Sequence, residues 1–173
     1  MIVSWYVGIR DKEAARAFIN DLAPRLANRV QLTSDGYTAY RDAVDDAFGA
    51  DVDFAMLVKQ YGAAKGRKYG PYEGAIKERR IGNPDMAKVT TSHVERQNLT
   101  MRMSIRRFGR KTNAFSKKIE NHDFAVALHF MHYNFCRIHK TLRITPAMAA
   151  GLTDRVWDIE DLLKIQSSGQ QMK

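Results

Sequence analysis

The stretch "RVQLTSDGYTAY", Arg29 to Tyr40, decides how this sequence is read. "RVQLT" has the makings of a short strand, Asp35-Gly36 forms a polar break, and a helix-compatible segment runs from about Tyr37 to Phe48. Asp-Gly is a turn pair, and the carboxylate could also cap the helix behind it. The same position, the carboxyl end of a strand ahead of a helix, is where open α/β sheets place their ligands. Local sequence leaves both readings of Asp35 standing.

Working outward, "IVSWYVG" (2–8) is rich in β-branched and aromatic residues and closed by Gly8, so it reads as a buried strand. "DKEAARAFINDLAPRLANR" has helical spacing, with Asp11 as N-cap and Pro24 expected to kink or divide the helix. "DVDFAMLVKQYG" supplies another strand. Strand, helix, strand, helix, strand implies an α/β sheet with crossover helices. Residues 62–88 hold five glycines and two prolines, which predicts a long, largely irregular loop. From Thr91 the pattern is helical: Ser92 to Arg107, Ala114 to Ile138, and shorter pieces after Pro146 and Asp154, before a frayed tail.

The bulk properties narrow the function classes. A chain of 173 residues suits one domain with a real core, and a net charge of +9 favours a polyanionic partner. The single cysteine, Cys136, excludes an internal disulfide and a multi-cysteine zinc site, which fits a reducing, cytoplasmic setting. No apolar run approaches the roughly 20 residues of a membrane span, and the start lacks a signal-peptide pattern. A strand at the first residue suggests a chain that begins inside a domain.

Glu95 lies in "TTSHVERQNLTMRMSIRRFGRK". Ser92-His93-Val94-Glu95 has the form of a capping box, which would employ the glutamate structurally. On a helical wheel, Val94, Met101, Ile105 and Phe108 make an apolar stripe, whereas Glu95, Asn98, Arg102 and Arg106 share a polar face. That face could be solvated and salt-bridged, or it could present a carboxylate to a metal and guanidiniums to phosphates. Arg96 to Lys118 carries eight Lys or Arg and no acid, which suits phosphate contacts. The basic residues of the glycine-rich segment, Lys65, Arg67, Lys68, Lys77, Arg79 and Arg80, could add a second contact. His122, His129, His132 and His139 lack a metal-site motif and read as core or surface residues, and "GAAKGRK" lacks the P-loop spacing.

"TSDGYTAY", "TSHVERQNLTMRMSIRRFGRKTNAFSKKIENH" and "HFMHYNFCRIHKTLRITPAMAAG" together resemble the catalytic core of bacterial insertion-sequence transposases of the DDE class. The resemblance implies a ribonuclease H-like α/β core over residues 1–151, followed by a C-terminal helix and tail over 152–173. It implies Mg²⁺ or Mn²⁺ held by carboxylates, with DNA strand cleavage and strand transfer as the activity. By motif, Asp35 and Glu95 match the second aspartate and the glutamate of the family, as catalytic and metal-binding residues. Asn98, Arg102, Arg106, Arg107, Arg110, Lys111, Lys117 and Lys118 would contact DNA. The family's first aspartate lies on an opening strand that would fall, with the next strand, upstream of Met1. The expectation is therefore a core lacking its first two strands, inactive alone. The implied partners are element-end and target DNA, with a second copy or full-length transposase as protein partner and no membrane. The competing reading is a non-catalytic DNA-binding remnant or inhibitor of intact transposase.

Overall fold

The computed structural model describes residues 1–64, 66, 70–109 and 112–169. They fall into two compact units: Ser4–Asn98, and Met1–Val3 with Leu99–Lys173.

In the first unit, α1 (Lys12–Leu22) leads through a 3₁₀ turn (Ala23–Arg25) to β1 (Gln31–Asp35). α2 (Ala39–Phe48), β2 (Asp53–Tyr61) and β3 (Tyr72–Ile81) follow. Asp11 caps α1 as its sequence suggests: its side chain accepts from the Ala14 amide at 2.8 Å. Pro24 falls in the 3₁₀ turn that ends the helix, where its missing N–H costs least.

The sheet has the order β1-β2-β3, with β1 parallel to β2 and β3 antiparallel to β2. α2 makes the crossover that a parallel pair requires. Ala15 and Ile19 of α1 and Ala39, Ala43 and Val44 of α2 bury against Val52, Phe54 and Met56. The alanines keep the helices close, and a Phe54→Ala cavity would cost about 3–5 kcal/mol.

Two sequence expectations are corrected by the structure. "IVSWYVG" forms no strand, and its apolar residues are only half-buried or exposed. A strand needs a ladder partner, and the described sheet consists of β1, β2 and β3 alone. The two backbone groups of Ile2 are taken instead by a side chain: its N–H donates to Asn134 Oδ1 at 2.9 Å, and its carbonyl accepts from Asn134 Nδ2 at 2.8 Å.

The second correction concerns residues 62–88, which contain the ten-residue strand β3. Their glycines shape a hairpin rather than an irregular loop. At its neck the Gly62 amide donates to Pro71 O at 2.9 Å, and a Cβ on Gly70 would strike the Gly62 backbone. Gly82, with φ +64°, ends β3 against Asp53 where a side chain would collide with the carboxylate. Lys65, Arg67 and Lys68 lie outside the described residues. Lys77 donates to Met86 O at 2.6 Å, and Arg80 pairs with Glu78.

α3 (Ser92–Ser104) starts in the first unit and ends in the second, which also holds α4 (Ile119–Met131), α5 (Pro146–Ala149) and α6 (Ile159–Gly169). The expected helix to Arg107 stops at Ser104 because Ile105 is extended (φ −109°, ψ 106°), and a 3₁₀ turn covers Arg106–Phe108. Nothing on α3 is buried, and of its expected apolar stripe Val94 is 56% exposed while Met101, Ile105 and Phe108 are half-buried. The long helix expected over 114–138 is shorter, closing in a π turn at His132–Cys136. Phe135 stacks on Trp157 at 4.5 Å, and Asp158 and Asp161 cap α6 reciprocally, each accepting the other's amide. No described helix is long and apolar enough to cross a membrane. The tail residues 170–173 lie outside the described residues.

The start of β2 is tied to the chain around it by charge. Arg29 donates to Asp53 through Nε and Nη2 at 3.1 and 2.8 Å and also to the carbonyls of Ala50 and Val52, while the Asn83 amide donates to Asp53 at 2.7 Å. The guanidinium first, and then the amide, hold the Asp53 carboxyl at about 2. The stability this contributes is complete above about pH 4 and disappears as pH falls through 2. Thermal unfolding against pH should show the native chain losing its margin over Asp53→Asn between pH 4 and 2, the two curves meeting at the acid end.

Candidate functional site

Asp35 is the last residue of β1, lying opposite Leu57 of β2. Its turn reading holds. Oδ1 accepts from the Tyr37 amide at 3.1 Å, an Asx turn, and Oδ2 accepts from Arg10 at 3.0 Å. It is not the helix cap, since the residue before α2 is Thr38. The Arg10 guanidinium also lies 4.4 Å from the centre of the Tyr37 ring. Burial, and then the Asp35 charge, push the Tyr40 hydroxyl up.

Glu95 sits in the first turn of α3, yet it forms no capping box with Ser92, whose amide bonds Thr90 Oγ1 at 3.1 Å. Glu95 Oε1 instead accepts from Lys59 Nζ at 2.6 Å and from Thr91 Oγ1 at 3.1 Å. Lys59, and then Thr91, hold the Glu95 carboxyl below the usual carboxylate range, while Glu95 raises the Lys59 ammonium.

These residues meet in one cavity of about 640 Å³. Asp35, Lys59, Thr91, Glu95 and Asn98 supply its polar lining, and Phe18, Ile19, Leu22, Leu32 and Phe54 an apolar wall. The cavity extends along β1, which β2 pairs on one edge only. Asp35 and Glu95 are about half exposed, so an incoming ligand can reach both.

The two carboxylates offer hard oxygen donors, and Mg²⁺ is commonly held by one or two carboxylates with water and substrate phosphate completing its shell. Asp35 and Glu95 would supply two such donors. Among the described residues, no group of three or more His, Cys, Asp or Glu comes together that could hold a metal. Arg10 and Lys59 therefore neutralise the pair, and a divalent cation would have to displace them.

Asn98 lines this cavity, while the other proposed DNA contacts belong to different places. Arg102 is exposed in the last turn of α3. Arg106 and Arg107 sit in the 3₁₀ turn, so Arg106 does not continue the Glu95 face. Arg107 donates to Ser116 Oγ and, at 2.7 Å, to Asn121 O. Lys117 and Lys118 are exposed just before α4, where a cation opposes the helix dipole and so does not serve helix stability. Arg110 and Lys111 lie outside the described residues.

Lys59 and Arg10 escaped the sequence reading. The signal for Lys59 is its place two residues beyond Leu57, on the face Asp35 shares, but it emerges only once the β1–β2 register is known. Replacing Lys59 by Ala should raise the Glu95 carboxyl toward the ordinary carboxylate value of about 4.3, as followed by side-chain NMR titration. An unchanged midpoint would mean the ion pair is not formed in solution.

Residues 61–136 match the family model for IS1 transposase, a segment that contains β3, α3 with Glu95, the basic run and α4, but not Asp35. No curated protein and no solved structure matches the chain. The match falls on the stretch whose acidic and basic residues have just been placed, and it supports a likeness of this segment to insertion-sequence transposases of the DDE class.

Proposed function

We propose that this chain contributes to DNA transposition by cutting and joining DNA strands at the Asp35–Glu95 cavity, within a ribonuclease H-like core. The observation that carries the reading is that two carboxylates distant in sequence, one at a strand's carboxyl end and one on a helix, line the same cavity. Asp35 and Glu95 would hold Mg²⁺ or Mn²⁺. When bound, such an ion polarises a phosphoryl oxygen and lowers the pKa of an attacking hydroxyl.

The chain's own residues do the rest. Arg10 and Lys59 compensate the two carboxylates and, once displaced, would be free to face phosphate. The Asn98 amide can donate to a phosphate oxygen beside Glu95. Arg102, Lys117 and Lys118 supply exposed charge for the DNA backbone. The unpaired edge of β1, with the apolar wall beside it, is a seat for one more strand, and a carboxylate carried on that strand would be the third ligand.

The second reading is a non-catalytic DNA-binding protein that pairs with or inhibits intact transposase. It is favoured by the cations already on both carboxylates and by the absence of a third acid beside them among the described residues.

DNA affinity measured with and without Mn²⁺ at matched ionic strength separates the two. The catalytic reading expects Mn²⁺ to tighten binding about tenfold, roughly 1.4 kcal/mol, in the native chain and in neither Asp35→Asn nor Glu95→Gln. The binding-only reading expects no Mn²⁺ effect in any of the three. In both, Arg102→Gln lowers the salt dependence by about one unit of slope.

A further inference from the structure

We infer that the helical unit carries a second nucleic-acid site, a recess that takes a single unstacked nucleotide. This rests on the DNA-binding reading above but concerns residues that the carboxylate site does not use.

The recess lies among the 3₁₀ turn, α4, the π turn and α6, and encloses about 790 Å³, within the roughly 300–1,000 Å³ of small-ligand pockets. Ile105, Leu128 and Leu162 give it an apolar floor, and no carboxylate is among the residues lining it. Its rings form a row: His129 lies 6.4 Å from Tyr133, and the Arg137 guanidinium 5.9 Å from the centre of the Tyr133 ring. His129 Nε2 is buried with no hydrogen-bond partner among the described residues. A buried polar atom of this kind calls for a partner in the ligand. Arg106 and Arg137 bring charge to the same recess.

Phosphate contact alone would need only exposed cations, such as those before α4. A concave apolar floor, aromatic and guanidinium planes, and an unsatisfied ring nitrogen fit a base, with the arginines on its phosphate. The π turn makes the arrangement possible: the extra residue brings His132, Tyr133 and Arg137 to the recess at the end of α4.

The test compares the full chain on a fully paired DNA duplex and on the same duplex carrying one extrahelical 2-aminopurine, at equal salt. The inference expects binding about tenfold tighter to the second, with quenched aminopurine fluorescence. Tyr133→Ala should abolish the preference while leaving duplex affinity unchanged. Leu128→Glu, at a position 60% exposed and tolerant of substitution, should do the same by placing a carboxylate at the floor.

Equal affinity for the two probes overturns the inference and leaves DNA binding intact, as does a Tyr133→Ala loss shared equally by both probes. A change of oligomeric state in Leu128→Glu with the preference untouched also overturns it, and assigns the recess to a second copy of the chain. Failure to bind either probe would sink the DNA-binding reading itself.

Discussion

The parallel register of β1 against β2 is the constraint on which the rest depends. Placing Asp35 opposite Leu57 puts Lys59 two residues farther along the same sheet face, where its ammonium reaches Glu95. A slip of one residue would turn Lys59 to the opposite face and separate the acids from their cations. The register is held by the core beneath it, where Phe54 and Met56 of β2 bury against α1 and α2. Arg29 then clamps the start of β2 through Asp53. Packing on one face of the sheet thus fixes electrostatics on the other.

On the proposed function, the cations beside Asp35 and Glu95 would give the site two states. With Arg10 and Lys59 in place, the carboxylates are compensated. A divalent cation would compete with side chains that are 68% and 40% exposed and therefore inexpensive to move, because exposed pairs contribute only about 0–1 kcal/mol each. Displaced, the same side chains would be free to meet phosphate. On that proposal, the residues that compensate the carboxylates would also assist phosphate binding.

Much of this was legible in the sequence, and the failures have physical causes. The β1–α2–β2 unit, the Asp11 cap and the turn at Asp35 announce themselves through local chemistry. β3 did not, because an edge strand exposed on both faces has no apolar alternation, and its glycines look like loop punctuation. "IVSWYVG" has strand composition, but composition cannot supply a neighbour. The capping-box pattern at Ser92 and Glu95 was present, yet Lys59 drew the glutamate away, a long-range pairing that no local rule anticipates. Arg106 fell off the predicted helical face because Ile105 takes an extended conformation.

The central claim is that Asp35 and Glu95 form one cation site. Paramagnetic broadening of side-chain and amide NMR signals during a Mn²⁺ titration tests it most directly. The account predicts that signals around Asp35 and around Glu95 broaden together, at the same Mn²⁺ concentration, and that Asp35→Asn or Glu95→Gln removes the broadening at both. Broadening at only one carboxylate, or at both with unrelated midpoints, would contradict a shared site.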